Sequence, residues 1–293
     1  MAWDKISLSV TPVLRFDGKK GLGQGTGFFM AHPAEGGGFV LSLVTNYHVV
    51  AGSAPKRHIE PRGDRIQFEL RTAGKDATKV KRAVYPLRTR DGNPTWVTSQ
   101  RFSDSDIAVV PLPLGDGLFE EAPTCFDRSD VSMDIASYPG QTVSVVGYPM
   151  GWRDRTSKSP VWKTGHLASE PEEDFNGEPR FLIDITGRRG MSGAPVVAGH
   201  KELHFTGSGL PRMGASGRLL GVYASNALQA TTDESSAEEL SIEEAAEDQR
   251  HDIDPRPELG FVWKASVVMD ILESLRARPL KEEIWAHLPS MEQ

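Results

Sequence analysis

Between residues 6 and 225 the apolar positions fall in short runs, punctuated by connections that hold Gly, Pro, Asp and Asn. Ile6–Phe16 alternates apolar with polar, while Thr26–Met30 and Phe39–Thr45 are continuous and β-rich. The same reading predicts strands over 66–70, 80–87, 95–98, 107–112, 142–148, 161–167, 181–185, 195–197 and 219–224. The connections carry the residues that turns require. Many short strands with no helical stretch between them predict an all-β sandwich or barrel rather than a doubly wound sheet. Two segments depart from this. Leu228–Leu259 is polar and acidic without strand periodicity, and within it Ser235–Gln249, with Ser235 and Glu238 at capping-box spacing, predicts a short helix. Ala265–Arg276 places Val268, Ile271, Leu272 and Leu275 at helical spacing, and Pro279 stops that helix.

Three local patterns carry chemistry. They are Thr45-Asn-Tyr-His48-Val-Val, Ser105-Asp106-Ile-Ala-Val-Val-Pro-Leu112 and Gly187-Arg-Arg-Gly190-Met-Ser192-Gly-Ala-Pro195. In the third, glycines on both sides let the backbone bend around Ser192. Such a turn exposes the hydroxyl and aims the Gly190 and Ser192 amides at one point, where two donors stabilise an oxyanion. Alone, each pattern has a plainer reading. Glycine-serine turns are common, a lone His48 is more often a core or loop residue, and Asp104 and Asp106 sit in a Ser/Asp-rich loop. Together they fit one mechanism: Ser192 as nucleophile, His48 as its base, and Asp106 fixing the imidazole tautomer and offsetting its charge. The chain order His, Asp, Ser is one of several known for this geometry.

On these motifs the chain resembles a trypsin-like serine peptidase of the chymotrypsin fold, in the disulfide-free branch with the high-temperature-requirement proteases. Further pieces in family order carry the resemblance: Gly25-Thr-Gly-Phe-Phe29, Val145-Val-Gly-Tyr-Pro149, Leu220-Gly-Val-Tyr-Ala-Ser225 and Gly260-Phe-Val-Trp263. The resemblance implies two six-stranded β-barrels with a C-terminal α-helix. The barrels are expected over residues 1–130 and 131–264, the second holding an insertion at 227–259, with the helix and a tail over 265–293. It places His48 and Asp106 on the first barrel and Ser192 on the second. Thr186 falls at the floor of the primary specificity pocket, and Ala224, Ser225 and Asn226 form the wall that pairs with substrate backbone. A neutral Thr186 implies an uncharged, small or medium residue before the scissile bond. Met191 stands where zymogen-activated relatives carry an aspartate, so N-terminal trimming is not the expected switch. Ala194 replaces a common glycine, which is tolerable at negative φ.

Composition sharpens this picture in one place. The chain has 293 residues with 33 Lys+Arg and 40 Asp+Glu, a net charge of −7. Residues 227–259 alone hold eleven acidic residues against Arg250 and Arg256, a net of −9. The remainder is nearly neutral at +2, with 31 basic against 29 acidic residues. The acidity thus belongs to one stretch beside the predicted pocket. Two readings of it stay open: a solvated insertion, or a regulatory flap that covers the cleft or recruits a basic partner. The acidic total argues against nucleic-acid binding, and no apolar run approaches the length of a membrane span. One cysteine, Cys125, excludes an intramolecular disulfide. Met1–Lys20 lacks a secretory signal pattern. The expectation is a cytoplasmic protein that needs no cofactor or metal and acts on a protein or peptide substrate, with an activating or regulatory protein as a further partner. Only fourteen residues follow Pro279, too few for the peptide-binding domain appended to high-temperature-requirement proteases. Rival readings are a catalytically silent binding module on the same fold and an effector protease active only with a partner.

Other candidates carry less. Gly21-Leu-Gly-Gln-Gly-Thr-Gly27 lacks the Lys-Ser/Thr and helix of a phosphate loop. His200 and His204 have i, i+4 spacing but no glutamate after His200, against a zinc site. Arg188 and Arg189 read as solvated or as substrate contacts, and Cys125 as structural.

Overall fold

The computed structural model describes residues 3–35, 37–55, 60–71, 79–112, 122–200, 203–213, 217–226 and 258–276. The acidic residues 227–257, with the helix expected at 235–249, and the tail beyond 276 lie outside the described residues.

The chain opens with α1 (Lys5–Ser9), because the Asp4 carboxylate accepts from the Ile6 N–H at 3.0 Å and caps the turn. The alternation expected from Ile6 therefore begins as strand only at β1 (Val10–Asp17). There follow β2 (Lys20–Pro33), β3 (Phe39–Thr45), the short α2 (Tyr47–Ala51), β4 (Arg65–Arg71), β5 (Val80–Pro86) and β6 (Ala108–Leu112). The stretch 95–98 expected as a strand makes only one isolated bridge, Val97 with Val109. After α3 (Arg128–Val131) come β7 (Thr142–Gly147), β8 (Val161–Leu167), β9 (Arg180–Asp184) and β10 (Pro195–Ala198). The hairpin β11 (Leu203–Phe205) and β12 (Pro211–Met213) precedes β13 (Arg218–Asn226), β14 (Leu259–Lys264) and α4 (Ala265–Arg276).

The first six strands form one antiparallel sheet in the order β5-β4-β1-β2-β3-β6, and β10-β13-β14-β9-β8-β7 close into a barrel. The first sheet curls so that its two edges meet through a side chain. The buried Tyr85 hydroxyl of β5 donates to the Pro111 carbonyl of β6 at 2.9 Å. Pro111 has no N–H to offer to a backbone ladder at this position. Removing the hydroxyl in Tyr85→Phe is expected to cost about 1 kcal/mol of stability. The urea midpoint should fall at constant m-value; an unchanged midpoint would show that the bond contributes nothing.

The continuous apolar runs have a direct cause: both faces of the central strands are buried. Phe29, Leu43 and Val110 pack inside the first sheet with Val13, Leu41 and Phe68. Their chain neighbours Phe28, Val44 and Val109 point the other way, into a core between the two halves. The second barrel repeats the device. Val145, Val196 and Tyr223 fill its interior, while Val146, Val197 and Val222 join the shared core. Helix α4 covers that shared core with Val268, Ile271, Leu272 and Leu275, as its periodicity predicts. Each such buried side chain contributes roughly 1.5–3 kcal/mol. The fold is mostly β, and the two halves meet along a seam lined by β2, β3, β7 and β13.

Candidate active site

Strand β3 ends at Thr45, and Asn46 turns the chain into α2. The Asn46 side chain does not cap this helix; its Nδ2 donates to the Asp106 carbonyl at 2.6 Å instead. The N–H of His48, which in the first turn has no partner within the helix, donates to Asp106 Oδ1 at 2.9 Å. The His48 ring nitrogen Nδ1 lies 2.6 Å from Asp106 Oδ2. One carboxylate therefore grips the backbone and the ring of the same histidine. An ionised carboxylate only accepts, so Nδ1 carries the proton and neutral imidazole keeps its lone pair on Nε2. The His48 side chain is 34% exposed and Asp106 16%, so the pair stands at the rim of the seam rather than inside it. Burial, and then the charge of Asp106, push the neighbouring Tyr47 hydroxyl above its ordinary pKa.

Across the seam, Arg188-Arg189-Gly190-Met191 forms a β-turn closed by the Met191 N–H on the Arg188 carbonyl at 3.2 Å. Gly190 has φ +86°, the left-handed value that a type II turn needs at its third residue. The Gly190 and Ser192 N–H groups donate to no acceptor among the described residues. Ser192 and its neighbours are tied down on the other side: the Ser192 carbonyl accepts from Thr26 N–H at 2.8 Å and Gly193 N–H donates to the Tyr223 carbonyl at 2.8 Å. A Cβ on Gly25 would meet Val49 Cγ2 at 2.6 Å and the Ser192 carbonyl at 3.0 Å. The helix that holds His48 and the turn that holds Ser192 are thus packed against the same point of β2. In this conformation the Ser192 hydroxyl donates to the Ala224 carbonyl.

The wall residues Ala224, Ser225 and Asn226 end β13. The pairing of β13 with β14 slips between Tyr223 and Asn226, which takes Ala224 and Ser225 out of regular register. The Thr186 hydroxyl donates to Glu258, and its carbonyl accepts from Lys163. Burial first, and then Arg188, lower the Lys163 pKa, while Glu258 raises it. Lys163 and Glu258 were not signalled by sequence: Lys163 sits unmarked within β8, and Glu258 counts with the acidic stretch. Thr26 and Asn46 were hidden in plain view, each inside a quoted motif. Met191 is buried in the core of the second barrel. Ala194 is buried and is not among the residues with positive φ. Of the discounted candidates, Gly21–Gly27 lies within β2, and His200 pairs with Asp4 at 2.9 Å beneath the Trp162 ring. Burial raises the Cys125 thiol pKa. Among the described residues no cluster of His, Cys, Asp and Glu could hold a metal, and no helix is long and apolar enough to cross a membrane.

No curated protein matches the chain. Among solved structures, the serine endoprotease from Yersinia pestis is 13% identical with a TM-score of 0.48, over 94% of this chain and 68% of that one. The protease Anisep from Arthrobacter nicotinovorans is 11% identical with a TM-score of 0.48, over 94% of this chain and 98% of that one. The inactive form of Rv3671c from M. tuberculosis is 17% identical with a TM-score of 0.43, over 94% and 90%. The family model described as trypsin-like peptidase domain matches residues 25–203, which run from the Gly25 turn through His48 and Asp106 to beyond Ser192. That match takes in more than half of the sequence, and the chain belongs to the trypsin-like peptidase domain family as a serine protease of the chymotrypsin fold.

Proposed function

We propose that the protein is an endopeptidase that works through an acyl-enzyme on Ser192. The observation that carries this reading is the double grip of Asp106 on His48, with 2.6 Å at the ring and 2.9 Å at the backbone. It leaves Nε2 as the only basic ring nitrogen. In the proposed reaction the Ser192 hydroxyl turns from the Ala224 carbonyl to His48, Nε2 takes its proton, and Oγ attacks the scissile carbonyl. The developing oxyanion accepts from the Gly190 and Ser192 N–H groups. The imidazolium, held beside the ionised Asp106, then gives its proton to the leaving amine, and water repeats the sequence on the ester.

The substrate is a protein or peptide whose backbone pairs with Ala224, Ser225 and Asn226. At Thr186 the cation Lys163 and the anion Glu258 offset each other, which supports an uncharged residue before the scissile bond. The hold of Ala224 on the Ser192 hydroxyl favours a second reading, an effector protease whose hydroxyl is released only when a partner or substrate takes that carbonyl. The acidic stretch 227–257 joins Asn226 to Glu258, both at the proposed pocket, so regulation by it belongs to the same reading. A lone cysteine supports a reducing, cytoplasmic setting.

The test is labelling with an alkyl fluorophosphonate, followed by peptide mapping. A single adduct on Ser192 is expected. No adduct with or without added peptide, or an adduct elsewhere, refutes the acyl-enzyme.

A further inference from the structure

The turn that carries Gly190 belongs to the second barrel, yet much of what holds it comes from one residue of the first. Thr26 lies on β2 and is fully buried. Its hydroxyl donates to the Gly190 carbonyl at 2.7 Å and accepts from the Tyr148 N–H at 3.1 Å. Its own N–H donates to the Ser192 carbonyl at 2.8 Å. Its carbonyl accepts from the Thr45 hydroxyl at 2.7 Å, three residues before His48. Apart from the bond accepted from Tyr148, these hydrogen bonds of Thr26 all reach the two stretches of chain that carry the proposed catalytic groups.

The consequence follows from turn geometry. Types I and II differ by a flip of the central peptide, here Arg189–Gly190, with little movement of the ends. In the observed form the Arg189 carbonyl accepts from Met150 N–H at 2.6 Å and the Gly190 carbonyl from Thr26. The Met150 bond draws the Arg189 carbonyl away from the point that the Gly190 and Ser192 N–H groups address, while the Gly190 carbonyl, in the next peptide, keeps its direction in either turn type. A flip would turn the Arg189 carbonyl toward that point and the Gly190 N–H away from it. The Met150 bond alone comes from a residue held at φ +50°, in an exposed turn. The Thr26 bond, buried and braced by Tyr148, instead fixes the end of the turn, and together with the bond from Thr26 N–H to the Ser192 carbonyl it sets where both donors stand.

We propose that Thr26 is a positioning residue that fixes where the end of the Gly190 turn, and with it the two oxyanion donors, stands relative to His48 across the seam between the halves. The proposal rests on the peptidase reading given above. Its effect on rate passes through the turn, because Thr26 itself touches no substrate.

The experiment uses the full chain with p-nitrophenyl acetate, whose turnover requires an oxyanion but no particular peptide. Wild type, Thr26→Val, Thr26→Ser and Ser192→Ala are compared in kcat, KM and thermal midpoint. Thr26→Val keeps the branched shape and loses the hydroxyl; its kcat is expected to fall by about 10- to 100-fold with KM nearly unchanged, in line with a misaligned oxyanion donor. Thr26→Ser keeps the hydroxyl and should restore most of the rate. If Thr26→Val does not melt cooperatively, Thr26→Ala takes its place in the same comparison. A wild-type rate that depends on Ser192 but is kept when the Thr26 hydroxyl is removed overturns the proposal alone. So does a Thr26→Ser rate as low as that of the hydroxyl-free variant. A rate equal in wild type and Ser192→Ala overturns the peptidase reading and this proposal with it.

Discussion

Ser192→Ala and His48→Ala are each expected to lower ester or peptide hydrolysis by about 10⁶-fold, and the double variant by no more than either alone. The reason is that the two groups perform one act. Without Nε2 to take the proton, the Ser192 hydroxyl is no better a nucleophile than water. Without the hydroxyl, His48 has nothing to activate. Whatever remains comes from the Gly190 turn and substrate binding, which neither change touches. The measurement is kcat/KM for the four members of the cycle under one set of conditions. Losses that multiply in the double variant would mean that the two side chains act independently, and the proposed pairing would fall.

Asp106→Asn is expected to cost about 10⁴-fold in kcat. The two-handed contact of Asp106 makes the argument specific. The His48 backbone N–H needs an acceptor, so the amide oxygen of the new side chain takes the Oδ1 place, 2.9 Å from that N–H. The amide NH₂ is then left facing Nδ1, where Oδ2 stood at 2.6 Å. A donor at that place forces the proton to Nε2, and the ring cannot accept from Ser192. Because the acceptor at the start of α2 survives, the thermal midpoint should move little. Asp106→Ala removes both contacts and should lose about 1 kcal/mol of stability in addition, as for a lost helix cap. Equal activity in Asp106→Asn and wild type would exclude Asp106 from the mechanism.

Much of this arrangement was legible in the chain because it rests on local patterns. The apolar runs placed most strands, the periodicity of Ala265–Arg276 matched α4, and the motifs around His48, Asp106 and Ser192 come together at one seam. What escaped depends on contacts between distant segments. Asp4 turns Ile6–Ser9 into a helix although the pattern alternates. Thr95–Thr98 looks like strand but finds only one bridge, to Val109. Lys163 and Thr186, 23 residues apart, meet because β8 and β9 are neighbours in the barrel, and Glu258 reaches Thr186 from 72 residues away. No local spacing announces such pairs. Thr26 was visible only as one letter of a glycine-rich turn, since its partners lie 164 and 122 residues further along.

Phe28 and Val44 from one half, and Val146 and Val222 from the other, are packed in the same apolar layer. The polar contacts between Thr26 and the Ser192 turn sit at the edge of that layer. Catalytic alignment is therefore a quaternary-like property inside a single chain. It comes from the fit of two lobes, neither of which owns the whole apparatus. A separation of the lobes too small to disturb either set of strands would still silence the chemistry, so turnover is a finer gauge of their docking than any signal from secondary structure.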